Sequence, residues 1–366
     1  MTGMLSTLPE SRFISVRMTV YQKRLDDLAA EPRDWTVTGV AGFIGSNILQ
    51  RLLVAGQRVI GLDNFVTGSR RNLRDVEAEV GPERWRNFRF LEGDIRDLSK
   101  CQAACKGSDF VLHQAALGSV PLSIERPDDT HAVNVTGFLN VLQAAREGRV
   151  GRFVYASSCA VYGDDAGSPK IEDRLGRSLS PYATTKRIDE LYADVFSRCY
   201  DRATVGLRYF NVYGSRQDPN GAYAAVIPKW LAALSQGEAI TIYGDGKTSR
   251  DFCFVQDVVQ ANILAATAPI SGDLGSAVLN IGTGTETSLN ELFAAMRDIV
   301  VPEKGGSGQV EPIYKDFRPG DVRYSCADIS SARRLLGYAP AYDLRQGLAD
   351  LVAWDAAQEK PEIART

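Results

Sequence analysis

The chain has 366 residues, 44% of them hydrophobic and 24% charged, with a formal net charge of −3. That is enough apolar material for a substantial core, and the length suggests two domains of ordinary size. No Lys/Arg-dense run is available to neutralise a phosphate backbone, and no stretch approaches the ~18 apolar residues of a helical span, so neither a nucleic-acid nor a membrane partner is expected.

Residues 1 to 17 lack the cationic start and apolar block of a secretory leader and read as a tail. Residues 20 to 31 have helical composition, and Pro32 stops them before the apolar strand 35 to 38. Strands follow at 58 to 62, 87 to 91, 109 to 112, 152 to 157 and 203 to 209. Helical stretches at 43 to 55, 97 to 105, 130 to 148 and 182 to 200 separate them, whereas Arg70 and Arg71 read as a solvated loop. Parallel strands need helical crossovers, so this order predicts an α/β, doubly wound parallel Rossmann sheet. After Asn211 the pattern loosens into Gly/Pro-punctuated segments with helices at 223 to 235 and 288 to 299. The expected division is an extension over 1–34, a Rossmann domain over 35–210, a smaller irregular substrate-binding domain over 211–356 with some segments packing back on the first, and a tail over 357–366.

The six cysteines, Cys101, Cys105, Cys159, Cys199, Cys253 and Cys326, contain no Cys-x-x-Cys pair, and the two histidines are His113 and His131, so no metal site is expected. Reduced thiols in a cytoplasmic protein are the simpler reading.

At the first strand-to-helix turn stands Thr38-Gly39-Val40-Ala41-Gly42-Phe43-Ile44-Gly45. Gly39, Gly42 and Gly45 each lack a side chain for a reason: the turn, the approach of a pyrophosphate, and close packing of helix on strand. Free N–H groups at the helix start then face the phosphates. The second strand ends in Asp63, near the ~20-residue spacing of a ribose-binding acid. Its carboxylate accepts from ribose hydroxyls and repels a 2′-phosphate, so NAD is expected rather than NADP. Asp94 and the run His113-Gln114-Ala115-Ala116 follow the third and fourth strands, at the edge where such folds hold ligands. His113 reads equally well as a satisfied core histidine.

Tyr182 and Lys186 are one helical turn apart and share a face. A phenol of ordinary pKa ~10 is a poor base, but a neighbouring ammonium and a positive nicotinamide ring favour its phenolate. The strand 152 to 157 delivers Ser157 and Ser158 to the same crevice.

Taken in order, Gly39-x-x-Gly42-x-x-Gly45, Ser158 four residues before Tyr162, Tyr182-x-x-x-Lys186, Arg208-Tyr209-Phe210-Asn211-Val212-Tyr213-Gly214 and Arg318-Pro319-Gly320-Asp321 resemble the extended short-chain dehydrogenase/reductases. Within them the chain is most similar to nucleotide-sugar 4-epimerases. The run from Gln217 to Lys229 resembles the branch acting on UDP-N-acetylhexosamines and their uronic acids. The resemblance implies NAD, a UDP-sugar substrate, and catalytic roles for Tyr182, Lys186 and Ser158. It assigns cofactor binding to Gly39, Gly42, Phe43, Ile44, Gly45, Asp63, Asn64, Asp94, Ile95, Gln114, Ala115, Ala116, Asn134, Tyr182, Lys186 and Tyr209. Substrate binding falls to Ser119, Ser158, Asn211, Ala225, Val226, Lys229, Arg250, Arg318, Asp321 and Ser325. It also implies a homodimer through helices 130 to 148 and 182 to 200.

Departures from related chemistries are legible too. Dehydratases and decarboxylases of this kind carry acids just before Tyr162, where this chain has Cys159-Ala160, so elimination and decarboxylation are disfavoured. Most 4-epimerases have a hydroxyl at the Ala160 position. Ser325 stands where galactose-type enzymes have a bulky tyrosine, leaving room for an N-acetyl group; Leu122 stands where close relatives carry Arg, one cation fewer for a carboxylate sugar. For Arg250 a surface salt bridge to Asp251 competes with the ligand role. A 4-epimerase of the corresponding uronate, a net NAD-dependent oxidoreductase and a non-catalytic nucleotide sensor stay open as alternatives.

Overall fold

The computed structural model describes residues 18–219, 225–269, 275–303, 310–317 and 322–359. The first part runs α1 (Val20–Ala30), β1 (Asp34–Thr38), α2 (Phe43–Val54), β2 (Arg58–Asp63), α3 (Arg70–Trp85), β3 (Phe88–Glu92), α4 (Leu98–Cys105), β4 (Phe110–His113), α5 (Val120–Glu125), α6 (Pro127–His131), α7 (Gly137–Glu147), β5 (Arg152–Ser158), α8 (Pro181–Tyr200) and β6 (Thr204–Tyr209). The remainder adds β7 (Asn211–Tyr213), α9 (Val226–Ser235), β8 (Thr241–Tyr243), β9 (Ser249–Arg250), β10 (Phe252–Phe254), α10 (Val255–Thr267), β11 (Ser276–Ile281), β12 (Thr287–Ser288), α11 (Leu289–Glu303), β13 (Ile313–Lys315), β14 (Tyr324–Ser325), α12 (Ser330–Leu336) and α13 (Leu344–Glu359).

Seven strands form one parallel sheet in the order β11-β6-β5-β4-β1-β2-β3. The chain winds outward from β1 in one direction as far as β3, then returns to β4 on β1's other side. The reversal between β1 and β4 opens a crevice at the carboxyl ends of these strands, where this class of sheet takes its ligands. Buried on both faces, the inner strands are runs of apolar residues such as Val37, Val111, Leu112, Val154, Val205 and Leu207.

Three segments differ from the sequence reading. The stretch after Arg70 is not a loop but α3, started by Ser69, whose hydroxyl accepts the Arg71 N–H at 3.1 Å, and interrupted at Gly81 (φ 78°). Its buried residues are Val76 and Val80, a stripe too thin to show a helical period against so many charges. Residues 276–281, where the sequence reading placed no strand, form the edge strand β11, and α10 packs Val258, Val259, Ala261 and Ile263 into the first core. The expected helix 130 to 148 divides into α6, a wide π-helical turn over Ala132–Thr136, and α7. Two smaller differences concern ends: the start of the helix expected at 223 lies outside the described residues, and residues 357–359 belong to α13 rather than to a tail.

A second core gathers Ile227, Trp230, Ile242, Phe252, Leu292, Met296 and Leu348 from α9, β8, β10, α11 and α13. It is bordered by two short sheets, β12-β9-β14 and β13-β8.

Candidate active site

The turn after β1 is held by two backbone bonds, Gly39 N–H to Leu62 O (2.8 Å) and Gly42 N–H to Gly39 O (3.0 Å). Gly39 has φ 68°, and a Cβ there would lie 2.7 Å from the Ala115 nitrogen. A Cβ on Gly45 would lie 2.0 Å from the Gly39 carbonyl oxygen, so α2 rests directly on the turn. Gly42 caps α2 without a side chain, so no side chain competes for the N–H groups of its first turn. Phe43 and Ile44 occupy that turn and pack their side chains against the second core.

A cavity of about 450 Å³ opens beside this turn, lined among others by Gly39, Asp63, Asn64, Asp94, Ile95, Ala115 and Ala116. Burial raises the Asp63 carboxyl above the usual carboxylate range, against the pull of N–H donors from Phe65 (2.8 Å) and Ala41 (2.9 Å). Asn64 donates to Asp94 at 2.8 Å, and the Arg96 guanidinium holds Asp94 down to about 2. A glycine turn with no room for side chains, an unblocked helix N-terminus and a buried acid facing one cavity fit a dinucleotide.

Behind the cavity the candidates tie to one another. Gln114 accepts from the Tyr209 hydroxyl at 3.0 Å and donates to Asn262 at 3.0 Å, while Asn262 also donates to Tyr209 at 2.9 Å. Burial pushes the Tyr209 phenol well up, so it serves as a neutral strut. Asn134 accepts from Leu117 N–H (2.8 Å) and donates to Leu117 O and to the Thr185 hydroxyl (both 3.1 Å). The π-turn is what aims Asn134 at both the loop after β4 and helix α8. His113 is a core residue: it shares a 2.7 Å bond with the Thr38 hydroxyl, and burial with the nearby Lys186 charge brings it down to about 3.

Helix α8 begins at Ser180, whose hydroxyl accepts the Ala183 N–H at 3.1 Å, followed by Pro181 in the first turn. The Tyr182 N–H donates to the buried Ser123 hydroxyl at 3.0 Å, which fixes the tyrosine against α5. Lys186 is buried, donating to Ala156 O (3.0 Å) and to Asp189 Oδ2 (3.2 Å). Ser158 ends β5 in register with Tyr209, and its hydroxyl accepts the Ala160 N–H at 3.1 Å. Ser157, expected in the same crevice, turns the other way and donates to buried Glu190 at 2.7 Å, because successive strand residues face opposite sides. Cys159 is pushed up to about 11 by burial and is inert as a thiolate.

A second cavity, about 510 Å³, is lined among others by Asn211, Ala225, Val226, Lys229, Thr248 and Arg250. Asp251 does not belong to Arg250's surface: it is fully buried and accepts from Thr283 N–H and hydroxyl (both 2.8 Å), Gly284 N–H (2.9 Å) and Ala327 N–H (3.2 Å). Asn211 Oδ1 is buried with no hydrogen-bond partner among the described residues. Ser325 pairs with Arg250 across β14 and β9, whereas Arg318 and Asp321 lie outside the described residues. Ser119 caps α5, accepting the Leu122 N–H at 3.1 Å. Leu122 lines the first cavity.

Tyr182, Lys186 and Ser158 line neither cavity. Tyr182 donates its N–H to Ser123, next in sequence to Leu122 of the first cavity, and Ser158 stands in register with Tyr209, two residues before Asn211 of the second.

Residues 35–282 match the NAD dependent epimerase/dehydratase family. The chain belongs to that family. It is 38% identical over 320 residues to a putative UDP-glucose 4-epimerase of Methanocaldococcus jannaschii, covering 87% of this chain and 97% of the relative. Among solved structures it resembles the UDP-N-acetylglucosamine 4-epimerase of Methanobrevibacter ruminantium in complex with UDP-N-acetylmuramic acid, with a TM-score of 0.80, 35% identity, and coverage of 89% of this chain and 99% of that one. It also resembles the UDP-glucose 4-epimerase of Thermus thermophilus in complex with NAD, with a TM-score of 0.74, 33% identity, and coverage of 88% and 98%. The cofactor of this NAD-dependent epimerase is therefore NAD, and the Gly39 turn with Asp63 is where the fold would hold it.

Sequence reading of this epimerase missed three supports: Ser123 under Tyr182, Asn262 behind Gln114 and Tyr209, and Asp189 against Lys186. Asp189 alone carried a signal, since it falls on the face of α8 that also carries Lys186. The other two reach their partners across long sequence separations.

Proposed function

We propose that this chain is a UDP-sugar 4-epimerase whose substrate is a UDP-N-acetylhexosamine, interconverting UDP-GlcNAc and UDP-GalNAc. What supports the substrate is Ser325: a small, buried side chain, in register with Arg250 of the second cavity, stands where galactose-type enzymes have a bulky tyrosine. Arg250, Lys229 and Asn211 supply charge-assisted and neutral donors suited to a diphosphate, with arginine's fork matching its oxygens. We assign the first lobe to the cofactor and the region after Asn211 to the nucleotide-sugar.

Tyr182, as phenolate, takes the proton of the sugar's 4-hydroxyl, and Ser158 orients that hydroxyl by hydrogen bonding. Lys186 favours the phenolate through its charge and holds its place through Ala156 O and Asp189. NAD, when bound, supplies a hydride acceptor and donor, so the sugar alcohol can pass through its ketone and return with the other configuration. Tyr182 gives the proton back after the ketone has presented its other face. A second copy of the chain is the proposed cover for the exposed Leu191, Tyr192 and Val195 on α8.

The test separates C4 epimers after incubating pure protein, without added NAD, with UDP-GlcNAc, its uronate or UDP-glucose. Conversion of UDP-GlcNAc above the others supports the reading; preference for the uronate moves the chain to the acidic branch. Ser325→Tyr should damage turnover of N-acetylated substrate selectively, and equal damage to all sugars refutes the pocket assignment. Tyr182→Phe should abolish epimerisation while cofactor remains bound.

A further inference from the structure

We propose that Asp189 is a positioning residue for the Tyr182/Lys186 pair: its buried carboxyl, one helical turn beyond the lysine, sets how much positive charge the phenol feels and therefore the pH range of turnover. The Lys186 and Asp189 side chains are 3% and 0% exposed, with Nζ and Oδ2 3.2 Å apart. Asp189 Oδ1 has no hydrogen-bond partner among the described residues, so this carboxyl answers chiefly to the lysine.

Among the described residues, the neighbouring charged groups are committed elsewhere. On α8, Glu190 is taken up by Arg208 (2.8 and 2.9 Å), Ser157 (2.7 Å) and Arg187 (2.8 Å). From β5 comes the Tyr155 phenol, which burial pushes far up. From β4 comes His113, neutral and close enough to feel the Lys186 charge. From β6 comes Arg208, already committed to Glu190.

Burial pushes the Asp189 carboxyl up to about 7, with Lys186 pulling the other way. Ionised, it cancels part of the lysine's field at the phenol and, in a dry site, holds the proton on the ammonium; protonated, it does neither. Removing the charge at constant shape has two effects of one sign: the phenol ionises at lower pH, and the lysine loses its proton at lower pH.

The experiment is the pH profile of epimerisation by the holoenzyme for wild type, Asp189→Asn and Asp189→Ser. A second readout is the ultraviolet titration of the Tyr182 phenolate, with Tyr182→Phe as the blank. Expected is a shift of the alkaline limb toward acid by about one pH unit or more, the size typical of a charge partner this close, with a smaller shift of the acid limb and of the phenolate titration in the same direction. A folded Asp189→Asn enzyme with wild-type limbs, or with a uniform loss of rate, overturns the proposal. Loss of the wild-type circular dichroism in both variants also overturns it, because the carboxyl is then needed for folding alone. The inference rests on Tyr182 as the base: an active Tyr182→Phe enzyme refutes that reading, whereas an inactive one alongside an unmoved Asp189→Asn profile refutes only this one.

Discussion

Gly45→Ala pits two physical effects of opposite sign against each other. Position 45 lies in the first turn of α2, and on helix propensity alone alanine there would add ~1 kcal/mol of stability. The structure predicts the reverse. The new Cβ would stand 2.0 Å from the Gly39 carbonyl oxygen, 2.8 Å from its carbon and 3.0 Å from the Val40 Cα. All three are backbone atoms, and the turn that carries them is pinned to β2 through the 2.8 Å bond from Gly39 N–H to Leu62 O. Relief requires α2 and the turn to separate by about an ångström, at the upper end of the ~1–3 kcal/mol that overpacking costs. The net expectation is a loss of about 2 kcal/mol, roughly a 30-fold fall in the folding equilibrium constant, together with release of cofactor because the helix N-terminus leaves the turn. Urea unfolding followed by circular dichroism gives the first number, and absorbance of nucleotide retained after gel filtration gives the second. Gly56→Ala is the control: it has a positive φ (75°), which Gly45 lacks, but its Cβ would meet nothing within 4 Å, so it should lose only ~1–2 kcal/mol, from backbone conformation, and keep its cofactor. A Gly45→Ala protein as stable as wild type with cofactor retained would sink the argument from close packing.

Other expectations follow from the same geometry. Arg250→Gln should weaken UDP binding about 10- to 100-fold by calorimetry, the scale of a lost hydrogen bond to a charged group. Glu190→Gln leaves the Arg208 guanidinium, 3% exposed, facing a neutral amide, and should cost about 3 kcal/mol in urea unfolding. Because Asp94 titrates near 2 in the fold against an ordinary 3.8, its contribution is complete above about pH 4 and is lost as pH falls toward 2. Asp94→Asn should flatten that part of the stability curve, and an unchanged acid slope would contradict the Arg96 pairing.

Local chemistry made much of this protein readable from its residues in order. The glycine turn, the acid ending the second strand and the Tyr182/Lys186 spacing are short-range patterns, because a tight turn, a strand end and a helical face are each built within a few residues. The sheet's parallel winding was equally legible, since strands alternating with helices admit few other arrangements. What escaped depended on partners distant in sequence. Helix α3 hides its thin apolar stripe among charges, and β11 joins the sheet only because β6 offers it an edge. Ser157 and Ser158 look alike in sequence, and the pleat of β5 alone sends one to Glu190 and turns the other to the opposite face of the sheet. Leu122 likewise faces the first cavity because α5 is docked on α8 through Ser123, a bond spanning 59 residues. The charge pairing at Lys186 was decided last of all: one helix brings Asp189 within reach, but only packing of α8 against the sheet buries the pair.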